Sequence, residues 1–149
     1  DVGCVLHTDT AAGIGVAPLR DGLLMISQHA MRFFGRVAYH DYEGIALRED
    51  EQPRLQRDLG DKNFLMLRNH GLLVVGKNIA DTFLSMYIFE TTCQIQITAQ
   101  AAGDLSFISP DIQGDTMKVM AQATSGMGGQ IAWPALLRKL DRIDPGFRD

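Results

Sequence analysis

The segment from residue 64 to residue 76 constrains the fold more than any other part of the chain. Two apolar runs, residues 64–67 and 72–76, flank the polar tetrapeptide 68–71. Short apolar runs bounded by turn residues are typical of buried β-strands. We therefore expect two buried strands that meet at a polar tip or bulge carrying His70, and a sheet that needs helices to cover it.

The region before this segment predicts further short elements. An apolar run at residues 2–6 predicts a buried strand, and residues 37–39 predict another. Thr8 and Thr10 supply hydroxyls that can cap a small-residue turn or short helix at 11–15. His7 then lies where a strand gives way to a turn.

Helical patterns dominate the rest of the chain. Residues 53–59 predict a solvent-facing amphipathic helix that Gly60 ends. Asn78 is expected to cap the longest helix, which extends to about Ala102 and buries an apolar stripe. That stripe comprises Ile79, Phe83, Met86, Cys93 and Ile97.

The pattern weakens after Gly103. A helix near 111–123, a flexible glycine-rich stretch at 125–129 and an amphipathic segment at 133–140 are expected there. We expect residues 1–103 to form the main domain and residues 104–149 a helical extension packed on or beside it.

Charge and hydropathy exclude several classes of function. The chain carries 14 basic and 18 acidic residues, for a net charge of −4, so it lacks the basic footprint of a nucleic-acid or anionic-membrane partner. It also lacks an apolar run long enough to cross a bilayer and the pattern of a signal peptide. Cys4 and Cys93 are far apart in apolar contexts, which indicates reduced thiols. These features predict a cytoplasmic protein with neither nucleic-acid nor membrane partners.

Two of the four histidines lie at strand ends, where sites are commonly built. His7 and Asp9 project from the same side of an extended backbone, because side chains alternate with a period of two. With His70 they make a three-ligand metal site plausible. The spacing alone leaves a second interpretation open, in which His7 and His70 are structural residues with satisfied hydrogen bonds. His29 and His40 are flanked by ordinary helix or turn residues, and a hydrogen-bonded turn is one interpretation of the segment 40–42.

Three features together resemble the class II aldolase and adducin head family. These are residues 7–15, the segment 68–76 and the long helix that contains Glu90. The resemblance covers about residues 1–103. It implies an α/β/α layered domain around a mainly antiparallel central sheet, assembled as a homo-oligomer, usually a tetramer, with sites between subunits.

The resemblance also implies a divalent metal, most commonly zinc. His7 matches the first histidine of the family's HxH pair and His70 matches its third ligand, whereas Asp9 occupies the position of the second histidine. Aspartate can ligate zinc, but its charge makes the metal a poorer Lewis acid. In the family reaction the metal polarises a small hydroxy-carbonyl substrate while a glutamate moves the proton.

Two other residues enter as supporting members of the site. Glu90 falls inside the apolar stripe, where a carboxylate must be paired, hydrogen-bonded or protonated. We expect it to anchor the helix to a nearby turn, with the His70 turn as one candidate, and a catalytic role is the alternative. The resemblance implies that the region of His29 projects a side chain into the neighbouring subunit's site.

Two functional hypotheses follow. The first is a metal-dependent lyase acting on a small hydroxy-carbonyl compound, and the second is a non-catalytic adducin-like module for oligomerisation or protein interaction. The family's anion-binding loop and catalytic glutamate lie upstream of the HxH pair, and His7 comes six residues after the start of this chain. We therefore expect these residues to be the C-terminal portion of a longer domain and to be inactive alone.

Overall fold

The computed structural model describes residues 2–45, 49–124 and 128–148. A four-stranded mixed sheet is combined with five α-helices in the described ranges. The strands are β1 (Cys4–Thr8), β2 (Val37–His40), β3 (Phe64–Leu67) and β4 (Gly71–Gly76), and the helices are α1 (Ala11–Val16), α2 (Gln52–Leu59), α3 (Ile79–Ala102), α4 (Pro110–Thr124) and α5 (Gly128–Ile143). Short 3₁₀ helices occupy Ala30–Phe33, Glu49–Glu51 and Pro145–Arg148.

The sheet is open, with strand order β1-β4-β3-β2. β4 pairs antiparallel with both β1 and β3, whereas β2 runs parallel to β3. The sheet is therefore mainly antiparallel, as expected. The predicted strands around His70 are confirmed, and β1 and β2 form the two edges.

One face of the sheet carries the main hydrophobic core. Met66 of β3 and Leu72 of β4 point towards α3, where they meet buried residues that include Phe89. The Phe89 ring stacks on Phe33 at 4.8 Å and meets Phe64 edge-on at 5.6 Å. Burial of this aromatic cluster is what fixes α3 against the strands.

The opposite face is covered by α2, but only beside β2 and β3. Ala38, Leu65 and Leu67 form a smaller buried cluster against Leu55 and Leu59 of that helix. Helices thus lie on both faces of the sheet, in the expected layered arrangement. None of the described residues forms a helix over the end of the sheet near β1 on this second face, and the candidate site lies there.

The expectation of a buried first strand was wrong. β1 alternates between intermediate and exposed residues, and Val2 and Val5 are 59% and 61% exposed. The reason is its place at the edge of the sheet. The threonine caps were also wrong: Thr10 does precede α1, but its side chain makes no cap hydrogen bond to the helix.

The long helix begins as predicted, since Asn78 Oδ1 accepts a hydrogen bond from the Asp81 backbone N–H at 2.9 Å. The first turns of its predicted apolar stripe are not in the core. Ile79 is 61% exposed, and Phe83 contacts Trp133 of α5 with the ring centres 5.5 Å apart. α5 therefore lies beside the start of α3, where it takes the place of the sheet as the packing partner.

Two expectations about the chain as a whole can be compared with the structure. Both cysteines are free thiols. Across the described ranges, every helix is too short or too polar to span a bilayer. Residues 125–127 of the predicted glycine-rich stretch lie outside the described residues.

Candidate functional site

His7 and Asp9 face away from the main core because β1 alternates. Leu6 packs into the core on the α3 side, and the Thr8 hydroxyl donates to Met86 Sδ on the same side at 3.4 Å. His7 and Asp9 therefore point to the opposite, open face of the sheet. The strand thus presents an imidazole and a carboxylate on one surface.

His70 reaches the same surface from the turn between β3 and β4. Asn69 takes a left-handed conformation there, with φ of 60°, which reverses the chain in a tight turn. Gly71 begins β4 directly beneath the end of β1. A methyl group at Gly71 would lie 2.5 Å from the Thr8 carbonyl oxygen and 2.7 Å from Asp9 Oδ1. Glycine is therefore what lets the two segments approach this closely.

The three predicted ligands converge at one point. Asp9 Oδ1 lies 3.2 Å from His7 Nε2 and 3.5 Å from His70 Nε2. The two imidazole rings meet edge-on, with their centres 4.8 Å apart. The side chains are 36%, 56% and 31% exposed for His7, Asp9 and His70, so an ion could reach them from solvent.

The hydrogen bonding of His7 suits a metal ligand. Its Nδ1 lies 2.9 Å from the Leu72 carbonyl oxygen, which can only accept, so Nδ1 carries a proton and, in the neutral ring, Nε2 has a lone pair for a metal. Ligands at 2.0–2.2 Å from a tetrahedral zinc ion are separated by about 3.3 Å. The two distances to Asp9 Oδ1 bracket this value. The residues present therefore fit a divalent ion of this kind.

Glu90 anchors the turn that carries Asp9. It accepts a short hydrogen bond from the Thr10 hydroxyl, which links α3 to the residue after Asp9. The turn it holds therefore follows β1, and the hydrogen bond does not run to the His70 turn that was the candidate. His29 is exposed just before the 3₁₀ helix Ala30–Phe33, apart from the convergence of the three ligands.

A cavity of about 200 Å³ opens beside His7 and His70. Arg68 lies in its wall, where its guanidinium donates to the Leu19 carbonyl at 2.6 Å and covers the Tyr39 ring at 4.4 Å. These contacts give Arg68 a structural role at the turn.

A second group of polar side chains lines the same cavity, and the sequence pattern did not reveal it. His40 is buried at the end of β2, with Glu43 and Glu51 beside its ring. The sequence signal for this group is a histidine at the end of a predicted strand, followed three residues later by a glutamate. Its other neighbour, Asp58, comes from α2, 18 residues later, and the hydrogen bond from His40 Nδ1 and one from Arg57 hold the pKa of this carboxyl below its usual value.

Comparison with known proteins places the chain in a family. Residues 1–97 match the model of the class II aldolase and adducin N-terminal domain. This chain belongs to the class II aldolase and adducin family. The family resemblance expected from the sequence is thereby confirmed.

Relatives of this chain include proteins named as candidate class 2 aldolases and proteins named as adducins. It is 50% identical over 152 residues to a protein of Pseudomonas aeruginosa named as a candidate class 2 aldolase, covering 99% of this chain and 59% of that protein. It is 35% identical over 161 residues to alpha-adducin of Rattus norvegicus, covering 99% of this chain and 22% of the adducin.

Solved structures agree with this placement. An aldolase II superfamily protein from Pseudomonas syringae matches with a TM-score of 0.92 and 45% identity, over 100% of this chain and 60% of that one. L-fuculose 1-phosphate aldolase from Glaciozyma antarctica matches with a TM-score of 0.76 and 25% identity, over 94% and 53%. The chain spans about three fifths of the length of its bacterial relatives.

Proposed function

We propose that this chain forms the metal-binding part of a class II aldolase-type lyase that acts on a small hydroxy-carbonyl compound. The observation that carries the proposal is the convergence of His7 Nε2 and His70 Nε2 on Asp9 Oδ1 beside an open cavity. A divalent ion bound there, zinc in our proposal, would act as a Lewis acid on the substrate carbonyl. Asp9 adds negative charge and lowers that acidity relative to a histidine.

The chain's own residues orient the ligands. The Leu72 carbonyl fixes the His7 ring, and Thr10 with Glu90 fixes the turn that carries Asp9. His29 is proposed to reach the site of a neighbouring subunit, which its exposure permits.

Elemental analysis of metal content tests the proposal. The His7→Ala, His70→Ala double variant is expected to lose one equivalent of metal relative to wild type, because it removes two of three ligands. Asp61→Asn is the control, since this side chain is 97% exposed and belongs to neither group of candidate ligands, and the variant should keep the wild-type metal content. Equal metal in wild type and the double variant would overturn the assignment.

Cleavage of candidate substrates is tested separately with the full-length protein. L-fuculose 1-phosphate, the compound in the name of one structural relative, is a sensible first member of a panel of small hydroxy-carbonyl compounds. Cleavage that disappears in the double variant supports the lyase. Metal binding without turnover of any panel member would limit the proposal to its metal-binding part.

A second candidate function is a non-catalytic adducin-like module for oligomerisation or protein interaction. The aspartate at position 9 and the similarity to alpha-adducin across 99% of this chain support it. This candidate predicts an assembled protein that holds no metal at His7 and His70. Measuring metal and mass on the same sample therefore separates the two.

We further propose a homo-oligomer, a tetramer in the full-length protein. Val2 and Val5 leave an apolar edge at β1 that a neighbouring subunit would cover. A light-scattering mass of one 16.4 kDa chain would contradict this. The two free thiols support a cytoplasmic location, where thiols stay reduced.

A further inference from the structure

His40 is the most deeply buried of the charged or titratable side chains that line the cavity. Its side chain is 4% exposed, and Nδ1 lies 2.7 Å from Asp58 Oδ2. Because a carboxylate only accepts, Nδ1 carries a proton, and in the neutral imidazole Nε2 then has a lone pair. Within the described part of the chain, Nε2 has no hydrogen-bond partner. A buried polar atom in that state requires a partner, and a bound cation would supply one.

Two carboxylates surround this nitrogen. Glu51 Oε1 lies 3.4 Å and Glu43 Oε1 3.9 Å from His40 Nε2, and all three donor atoms lie within 4.8 Å of one another. Glu51 is itself nearly buried, with its side chain 10% exposed. The nitrogen is thus aimed at a small polar space lined by negative charge.

The neighbouring residues hold this group in place. Asp58 bonds Nδ1 in the way that second carboxylates orient metal-ligating histidines. Arg54 donates to both oxygens of Glu43, at 2.8 Å to Oε1 and 2.5 Å to Oε2, and also pairs with Asp50 at 3.4 Å. These contacts hold Glu43 in place beside the His40 ring.

This group is separate from the one at His7. His7 belongs to β1 and His40 to β2, the opposite edges of the sheet. Three interstrand spacings separate those strands, which is about 14 Å. One ion cannot bridge that distance.

We propose that His40, Glu43 and Glu51 form a second divalent-cation site, with Asp58 as the positioning residue for the imidazole. Two carboxylates balance the double charge of the ion, and the nitrogen donor favours a first-row transition ion such as Mn²⁺ or Zn²⁺ over Ca²⁺ or Mg²⁺. The acidic lining of this part of the cavity favours a cation over an anionic ligand. The competing explanation is a proton on Nε2, giving an imidazolium held between the two glutamates.

Calorimetric titration of the metal-stripped protein with Zn²⁺, paired with Mn²⁺ titration followed by electron paramagnetic resonance, tests the site. The His7→Ala, His70→Ala double variant should still bind one equivalent. Adding Glu51→Gln, which keeps the shape and removes the charge, should abolish that equivalent. Asp58→Asn should weaken it by about 10–100-fold, as expected for a residue that orients a ligand. Asp61→Asn, at a side chain that is 97% exposed, is the matched control and should leave binding unchanged.

The outcomes separate this site from the one at His7. If only the His40 site exists, wild type binds one equivalent that Glu51→Gln removes and the double histidine variant keeps. If the double histidine variant binds no ion while its circular dichroism spectrum stays native, the proposal is overturned. The proposal is also overturned if NMR shows both ring nitrogens of His40 protonated and unchanged by saturating Zn²⁺, since that result identifies the imidazolium.

Discussion

Replacing Gly71 by alanine perturbs the point where β1 and β4 meet, beside the proposed metal ligands. The new methyl group would lie 2.5 Å from the Thr8 carbonyl oxygen, 2.7 Å from Asp9 Oδ1 and 3.3 Å from His7 Cε1. Separations under 3.0 Å are not tolerated, so the end of β1 must retreat by at least about 0.5 Å. The nearest obstacle is backbone, so a change of side-chain rotamer cannot relieve the clash.

Two consequences follow from that displacement. Overpacking of this size costs about 1–3 kcal/mol of folding free energy. The retreat also moves Asp9 and His7 relative to His70, and metal sites tolerate errors of only about 0.2 Å in ligand distance. We therefore expect zinc affinity to fall by at least about tenfold, in line with other disturbances of ligand placement.

Denaturant unfolding of the apoprotein measures the first effect and calorimetric zinc titration the second. Gly114→Ala is the matched control, because its methyl group meets no atom within 4 Å and the position is helical. It should leave zinc binding unchanged and stabilise the fold by up to about 1 kcal/mol. If Gly71→Ala has the same free energy of unfolding and the same zinc affinity as wild type, the close approach of β1 and β4 at this point is refuted.

Three further changes test other parts of the structure. Gln96→Leu removes the amide that hydrogen-bonds two backbone groups of the loop after α1. It should lower the free energy of unfolding by about 2–6 kcal/mol in chemical denaturation. Gln100→Leu, at an exposed position, should be near neutral. Burial and then the Glu90 charge raise the pKa of Cys93 from 9.0 to about 12. Between those pH values the unfolded chain therefore binds fewer protons than the folded one. The free energy of unfolding of wild type should fall there by up to about 1.4 kcal/mol per pH unit relative to Cys93→Ala. Identical pH profiles for the two proteins would contradict this. Asn69→Val should destabilise the turn by about 1 kcal/mol or more in thermal unfolding, because a β-branched residue disfavours a φ of 60°, while Asn69→Gly should be tolerated.

Local sequence patterns predicted those helices and strands that are determined by interactions between residues close together in the chain. The apolar runs on either side of 68–71 gave the β3 and β4 strands, and Asn78 marked the start of α3 through its own side-chain hydrogen bond. Gly60 ended α2 as expected, with a φ of 58°. In each case the determining interaction lies within a few residues.

Burial was mispredicted where it depends on sheet order. Residues 2–6 are apolar enough for a central strand, but β1 lies at an edge and leaves Val5 exposed. The periodicity of α3 likewise does not determine which of its turns pack against the sheet. Phe83 therefore meets α5 and not the core. These features depend on long-range packing, which a linear pattern does not encode.

The candidate site divides in the same way. His7 and Asp9 share a strand face by alternation, and His70 also lies at a strand end, so their convergence could be anticipated. The group around His40 could not be, because α2 must pack on β2 before Asp58 reaches the ring.

Zinc-edge anomalous diffraction from crystals equilibrated with Zn²⁺ tests the central claim most directly. The account predicts a peak about 2.0–2.2 Å from His7 Nε2, His70 Nε2 and Asp9 Oδ1. Well-ordered side chains at these three positions, with no anomalous peak between them at saturating Zn²⁺, would contradict it.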